Sequence, residues 1–168
     1  AITNDLSNPL PKDFFYIHKQ FIFFNELATK RSFGYRNSQK LPDFDEGQGY
    51  ATNSFADRNF NLNFKHAYLQ GSPANIEVTV FGHGEDFTAH RVNFEINNQP
   101  KDFITFAGFK VRSPVIQLFG DELQDQMVLN VKANGNPEDR ISVSTIKYDY
   151  QASFQFDQQN LATIYLPA

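Results

Sequence analysis

Apolar residues recur at every second position over much of this chain, most clearly in its last third. The clearest runs cover residues 92–96, 146–150, 154–156 and 164–166. Successive side chains of a β-strand point to opposite faces, so this period predicts strands with one buried and one solvent-facing side. Turn formers such as Asn134-Gly135-Asn136-Pro137 separate the runs, which predicts repeated chain reversals and an antiparallel sheet.

The spacing of these runs indicates the fold class. Turn signals recur at intervals of roughly 10–15 residues, a rhythm typical of an all-β protein rather than of βαβ units. We therefore predict one antiparallel two-sheet sandwich, jelly-roll-like, that spans residues 14–168. Its expected core consists of Phe64, Val78, Val80, Val92, Phe94, Ile96, Leu129, Val131, Ile146 and Tyr148.

The first third of the chain has a less regular pattern. Residues 1–13 contain two prolines and are expected to form an N-terminal arm. Residues 14–28 fit either a helix or buried strands, and their Phe and Ile content favours strands. Residues 32–54 are polar and interrupted by Gly and Pro, which predicts a long loop of the kind that is often functional. Residues 121–125 are expected to form one helical turn.

Composition narrows the classes of function. The 19 Phe residues predict an aromatic core, and a net charge of −4 with scattered Lys and Arg argues against nucleic-acid binding. The longest apolar run, residues 21–24, is far too short to cross a bilayer, and we recognise no signal peptide. Because the chain begins with Ala, we expect a processed protein or a piece of a longer one.

The densest acidic cluster lies within the predicted long loop. Asp43, Asp45 and Glu46 are the candidate calcium ligands, since calcium prefers several carboxylate oxygens. The EF-hand layout fails here, because Gly47 comes one place early and no Glu closes the loop at its twelfth position. An ordinary solvated loop is the favoured interpretation, so no cofactor is expected.

Two histidines lie in and after a glycine-containing turn. Gly82-His83-Gly84 is similar to a phosphate-binding loop, but the next segment alternates like a strand instead of opening a helix, so a simple turn is expected. His83 and His90, with the two acidic residues at 85 and 86, have no recognised metal-ligand spacing. We therefore interpret His90 as a structural histidine with satisfied hydrogen bonds.

No catalytic constellation is visible in the sequence. The chain has no Cys and no nucleophile elbow, and we find no His paired with a recognisable nucleophile. Paired carboxylates for glycoside hydrolysis cannot be told from chance among 19 acidic residues. The chain also has no Trp on which sugars could stack, although 7 Tyr residues are present. We expect that this chain alone is not an enzyme.

Three motifs carry a family resemblance. They are Asn4-Asp5-Leu6-Ser7-Asn8-Pro9 with Phe14-Phe15-Tyr16 and Phe44-Asp45-Glu46-Gly47-Gln48-Gly49-Tyr50; His90-Arg91-Val92-Asn93-Phe94-Glu95-Ile96-Asn97-Asn98; and Ile146-Lys147-Tyr148-Asp149-Tyr150 with Phe154-Gln155-Phe156. Together they resemble the β-rich region that precedes the catalytic domain in PorU-type, gingipain-like cysteine peptidases of Bacteroidetes. This group includes a sortase of the type IX secretion system. Asn98 stands where that family usually has Gly, which leaves the turn type open.

The resemblance implies a function as well as a fold. It implies a secreted or cell-surface parent protein whose catalytic Cys and His lie beyond residue 168. The first function hypothesis is a non-catalytic accessory domain that acts as a scaffold or presents a substrate, with Asp43, Asp45 and Tyr50 contacting the neighbouring catalytic domain or an exported protein. The alternative is a carbohydrate-binding module of a secreted or surface protein.

Overall fold

The chain folds almost entirely as antiparallel strands. The structure is a computed structural model, and it describes residues 15–24, 26–27, 30–33, 37–40, 50–84 and 88–153. The strands are β1 (Phe15–Phe23), β2 (Glu26–Leu27), β3 (Lys30–Phe33), β4 (Asn37–Lys40), β5 (Tyr50–Ala51), β6 (Asp57–Asn63), β7 (Ala74–Gly82), β8 (Ala89–Ile96), β9 (Gln99–Ala107), β10 (Val111–Arg112), β11 (Val115–Leu118), β12 (Gln126–Ala133) and β13 (Ile141–Ser153).

Two sheets make up the body of the fold. The first has the order β1-β13-β7-β10, and β11 also pairs with β7, which makes five strands. The second has four strands in the order β6-β12-β8-β9. Every strand pair in both sheets is antiparallel. The all-β, two-sheet sandwich predicted from the alternating pattern is therefore confirmed.

The chain changes sheet repeatedly as it proceeds. It passes from β6 in the four-stranded sheet to β7 in the five-stranded sheet and returns to β8. After the β8–β9 hairpin, it moves to β10 and β11, then to β12 and then to β13. Neighbouring strands are therefore mostly distant in sequence, as jelly-roll sandwiches require, and the two sheets share one core.

The core lies between the inward faces of the two sheets. One continuous cluster contains residues of β6, β8 and β12 from one sheet and of β7, β11 and β13 from the other. All ten residues that the alternation predicted for the core are buried, among them Phe64 and Phe94 with no exposed surface. The ring of Phe64, directly after β6, packs 5.0 Å from Tyr148 and 5.1 Å from Tyr150, so aromatic contacts join the end of β6 to β13.

The segment of mixed pattern near the N-terminus is a strand. β1 pairs with β13 along its full length, from Phe15 opposite Ser153 to Phe23 opposite Thr145. Its inward residue Tyr16 is buried, whereas Phe21 and Phe23 point to solvent. Apolar residues on both faces obscured the strand period, which is why the sequence pattern also fitted a helix.

The expectation of a loop over residues 32–54 is wrong in part. β3 and β4 pair in register from Lys30 opposite Lys40 to Phe33 opposite Asn37, and β5 pairs with β2. These strands are short and mostly polar, so they carry no alternation of apolar residues from which to predict them. The remaining positions of that range between 34 and 49 lie outside the described residues.

Several terminal expectations also fall outside the described residues. The proposed arm at 1–13 and the predicted closing strands at 154–156 and 164–166 are among them. The helical turn expected at 121–125 is a short 3₁₀ helix at Gly120–Glu122. No helix among the described residues is long and apolar enough to cross a membrane.

The β8–β9 hairpin shows which turn Asn98 permits. Ile96 pairs with Gln99, so only Asn97 and Asn98 connect the strands, and both have positive φ, 49° and 65°. Positive φ at both central residues is the signature of a type I′ turn, which matches the twist of the strands. Asn tolerates this left-handed conformation better than other residues with a side chain, so a Gly is not required.

Candidate functional site

The sequence-predicted contact residues are only partly visible in the structure. Asp43, Asp45 and Glu46 lie outside the described residues, so neither the calcium hypothesis nor their contact role is tested. Tyr50 is described: it lies on β5, opposite Leu27, and 48% of its surface is exposed. Of the three predicted contact residues, Tyr50 is therefore the one that lies within the described part of the chain.

The chain that follows Tyr50 is fixed firmly to the five-stranded sheet. Ala51 is completely buried, and the backbone N–H of Thr52 donates to the carbonyl of Val143 at 2.9 Å. In return, the backbone N–H of Val143 donates to the Thr52 hydroxyl at 3.0 Å. The backbone next to the exposed Tyr50 ring is therefore already ordered, so binding there would cost little additional backbone entropy.

A second surface was not anticipated as a site: the outer face of the five-stranded sheet. We call it the Phe21 face and define it by Phe21, Phe23, Val115, Asn75, Gln117 and Asp149. Strand pairing arranges its residues in rows across β1, β13, β7 and β11. One row runs Phe21, Lys147, Glu77 and Val115, and the next runs Lys19, Asp149, Asn75 and Gln117.

The second row of the Phe21 face is tied together by hydrogen bonds. The side-chain amide of Gln117 donates to Asn75 Oδ1 at 3.1 Å, and the amide of Asn75 donates to Asp149 Oδ2 at 3.3 Å. In the first row, Lys147 Nζ lies 3.2 Å from Glu77 Oε1. These bonds hold the polar side chains in defined positions before any ligand arrives.

Apolar side chains border this polar arrangement. Phe21 and Phe23 are 54% and 61% exposed, and their rings are parallel within 4° with centroids 6.2 Å apart. Val115, on the other side, is 49% exposed. Between Phe21 and Val115 lies an open groove of about 330 Å³, lined also by Lys19, Asn75, Lys147 and Asp149. In the sequence, Phe21 and Phe23 have the spacing of two residues on one face of a strand. Because residues 14–28 also fitted a helix, this spacing alone did not predict an exposed aromatic face.

His90 is a buried residue, and only one of its ring nitrogens has a partner. Its Nδ1 lies 2.5 Å from Asp139 Oδ1, and both side chains are fully buried. Asp139 Oδ2 also accepts the backbone N–H of Gly135 at 2.8 Å, which fixes the turn between β12 and β13. His90 Nε2 has no hydrogen-bond partner. The structural role predicted for His90 is therefore correct, but its hydrogen bonds are not fully satisfied.

The other histidine contradicts one sequence-based expectation. His83 Nε2 lies 2.8 Å from the hydroxyl of Ser142, so a histidine does neighbour a hydroxyl that could act as a nucleophile. Ser142 has no exposed surface, however, and a substrate has no access to it. The pair was invisible in sequence because 59 positions separate its members. Among the described residues, no group of three or more His, Cys, Asp or Glu side chains could hold a metal ion.

Groups with shifted pKa values lie on β1, on β13 and in the 3₁₀ helix. Burial lowers the pKa of His18, whose ring lies 5.0 Å from that of Tyr150. Burial raises the pKa of Tyr148, and a hydrogen bond from the Asn63 backbone N–H partly opposes this shift. The pKa of Glu122 is lowered, first by its hydrogen bond with Lys101 and then by the Phe119 backbone N–H. None of these shifts indicates a catalytic acid or base in a cleft.

Comparison with known proteins gives a fold relationship. No protein-family model matches the sequence, and no curated protein sequence matches it. Among solved structures, the dimeric latent PorU of Porphyromonas gingivalis is similar with a TM-score of 0.61 and 10% sequence identity. The similarity covers 89% of this chain and 14% of the PorU chain. This chain has a PorU-like β-sandwich fold.

A carbohydrate-binding module has a less similar structure. The CBM36-1 domain of a multidomain xylanase, from the hindgut metagenome of Trinervitermes trinervoides, has a TM-score of 0.48 and 9% identity. The similarity covers 78% of this chain and 96% of that domain.

The similarity to PorU confirms, at the level of the fold, the resemblance predicted from the sequence motifs. This chain spans only a small part of PorU.

Proposed function

We propose that this chain is a non-catalytic accessory β-sandwich domain of an exported, peptidase-associated protein. In this proposal it holds a neighbouring catalytic domain, or presents an exported partner, through Tyr50 and the residues that precede it. The PorU-like fold supports this class of function. So does a chain without Cys, which cannot supply a cysteine nucleophile from these residues.

The observation that carries the proposal is the exposed ring of Tyr50 beside a buried anchor. Tyrosine is enriched where protein interfaces derive most of their binding energy, because it buries a large area with few rotatable bonds. The ring of Tyr50 is about half exposed, and the Thr52–Val143 hydrogen bonds fix the backbone two positions away. Asp43 and Asp45 would add polar contacts at the rim, as inter-domain interfaces commonly have.

The test is binding in trans between this chain and the flanking part of its parent protein. We expect measurable association by calorimetry, weakened at least about tenfold by Tyr50→Ala, a change equivalent to about 1.4 kcal/mol. The double substitution Asp43→Asn with Asp45→Asn should reduce affinity less and mainly slow association. Phe119→Ala is the matched control, since Phe119 is a similarly exposed aromatic residue, at 57%, and should leave affinity unchanged.

Two results would contradict this function. The first is the absence of binding to any flanking segment or exported partner. The second is an equal loss of affinity in the Tyr50→Ala and Phe119→Ala variants, which would remove the specific role of Tyr50. A cysteine peptidase domain encoded next to this chain in the parent gene would support the proposal.

A further inference from the structure

We propose that the Phe21 face is a binding site for a neutral oligosaccharide. This inference does not depend on docking through Tyr50, because it concerns a different surface of the molecule. The face combines exposed flat rings, side-chain amides held in a row and an open groove between them. The charges of the face, its hydrogen-bonding groups and its apolar border each restrict the chemistry of the ligand.

The first restriction is electrostatic. The two rows of the Phe21 face carry four charged side chains: Lys19, Lys147, Glu77 and Asp149. Their formal charges cancel, and each lysine has a carboxylate neighbour, since Lys147 contacts Glu77 and Lys19 pairs opposite Asp149 in the strand register. An anionic or cationic ligand would have to compete with these neighbours, whereas a neutral ligand would leave them undisturbed.

The second restriction is the density of hydrogen-bonding groups. Each amide nitrogen of Asn75 and Gln117 carries two hydrogens, and the row uses one from each of them. These remaining amide donors and the carboxylate of Asp149 lie side by side on one row. Closely spaced donors and acceptors match adjacent hydroxyl groups, which can each both donate and accept a hydrogen bond.

The third restriction is the apolar border. Sugar rings have flat faces of C–H groups, and burying such a face against an aromatic ring removes apolar area from water. Phe21 and Phe23 provide two exposed, parallel rings for this purpose, and Val115 limits the groove on the other side. Three strand spacings separate Phe21 from Val115, a distance of about 14 Å, so the groove suits an elongated ligand of several rings.

The size of the groove agrees with this ligand class. Its volume of about 330 Å³ falls at the lower end of the range for small-molecule sites. The floor is the paired backbone of β1, β13, β7 and β11, and it needs no rearrangement to accept a ligand. Affinity would then come from ring stacking and from side chains that are already ordered.

The test is calorimetric titration of the full chain with a panel of neutral linear hexasaccharides derived from xylan, cellulose and mannan. At least one should bind, and raising the salt concentration should change its affinity by less than about twofold, because the contacts are not ionic. Phe21→Ala should weaken binding at least about tenfold. Gln117→Ala should weaken it about three- to tenfold, the loss expected for one hydrogen bond.

A matched control lies on the opposite sheet. Phe103 is 53% exposed on β9, close to the exposure of Phe21, so Phe103→Ala should leave sugar binding unchanged. Amide chemical shifts that change on titration should belong to β1, β7, β11 and β13. Urea denaturation of each variant shows that it is folded, which is expected because both Phe21 and Phe103 are exposed.

Several outcomes would overturn the inference. These are no binding to any neutral sugar, equal effects of Phe21→Ala and Phe103→Ala, or binding only to an acidic oligosaccharide such as oligogalacturonate with strong salt dependence. Tyr50→Ala separates this inference from the proposed function. It should weaken docking to the flanking protein at least about tenfold and leave sugar affinity unchanged, whereas Phe21→Ala should weaken sugar binding and leave docking unchanged.

Discussion

At the scale of single residues, the β8–β9 turn shows two asparagines with different tasks. Asn97 extends the ladder of β12: its backbone N–H donates to the Val128 carbonyl at 2.9 Å, and its Oδ1 accepts the Val128 N–H at 2.8 Å. Its side-chain amide also reaches Gln124 at 3.2 Å. Asn98 mainly supplies a backbone with φ of 65°. Asn97 therefore contributes through the hydrogen bonds of its side chain, whereas Asn98 contributes through its left-handed backbone conformation.

This difference predicts opposite effects of the same substitution. Asn98→Gly should raise the free energy of unfolding by about 0.5–1 kcal/mol, because Gly adopts positive φ without strain. Asn97→Gly should lower it by about 1 kcal/mol or more, because the Val128 and Gln124 contacts are lost. Urea denaturation of both variants measures the two values, and a shift of the same sign in both would contradict this account.

A second residue-scale prediction concerns the close contact beneath His90. A Cβ added to Gly82 would lie 2.3 Å from His90 Nε2 and 2.9 Å from the backbone oxygen of Gly108. His90 is held by Asp139 and cannot move away easily. Gly82→Ala should therefore reduce stability by about 1–3 kcal/mol, the usual range for overpacking.

Gly71→Ala is the matched control for this prediction. A Cβ there would meet mainly the side-chain end of Gln151, which can rotate towards solvent at the cost of its exposed hydrogen bonds with Ser72. The loss of stability should be clearly smaller than for Gly82→Ala when both are measured in urea. Equal losses would mean that the packing of His90 against Gly82 has no special importance.

At the scale of elements, β8 illustrates how alternation places residues on two faces. Phe94 points into the core with no exposed surface, whereas Phe103 on the paired strand β9 points outward beneath Arg91. Truncating Phe94 to Ala should cost about 3–5 kcal/mol by leaving a cavity, and Phe103→Ala should cost no more than about 1 kcal/mol, the contribution expected of its exposed contact with Arg91. Similar unfolding midpoints for the two variants would contradict the assignment of faces.

A β-bulge in β9 allows this strand to contact the 3₁₀ helix. The register of β9 against β8 shifts between Phe94 and Glu95, where Phe94 faces Asp102 and Glu95 faces Pro100. The extra residue is Lys101, and its ammonium group reaches Glu122 of the 3₁₀ helix. Bulges re-aim side chains in this way. Neither the bulge nor the contact has a signature in the sequence.

How far the sequence predicted these elements depends on the face each residue occupies. Strands with one apolar face, such as β8, β12 and β13, followed directly from alternation, and so did the core residues. β1 was uncertain because both of its faces carry Phe, and β3 and β4 were missed because they lack apolar alternation. The Phe21 face could not be foreseen, since its rows join residues from four strands that are distant in sequence. Strand order, which no local pattern encodes, creates that surface.

At the scale of the whole molecule, the half-buried His18 should affect how stability depends on pH. Burial lowers the pKa of His18 from its ordinary value of 6.5 in the folded state only. The unfolded chain therefore binds a proton more readily below that pH, and acid favours unfolding. Stability should fall as the pH decreases from about 7.5 to about 5.5, a range above most carboxylate titrations.

His18→Gln isolates this contribution from those of the other histidines. The variant should lose less stability than the wild type over the same pH interval, because it has no proton to bind at that position. Urea midpoints at each pH give the comparison. An identical decrease in both proteins would show that His18 titrates alike in the folded and unfolded states.

The last prediction concerns the absence of hydrolytic activity in the isolated chain. Two histidine pairs resemble parts of a catalytic site, His83 with Ser142 and His90 with Asp139, but Ser142 and Asp139 are both buried. A nucleophile must contact its substrate, so neither pair can act without opening the sheet that stabilises the whole fold. We expect no cleavage of peptides or polysaccharides by the purified chain, and an identical background from the Ser142→Ala variant. Turnover that this substitution abolishes would contradict the prediction and make the molecule an enzyme in its own right.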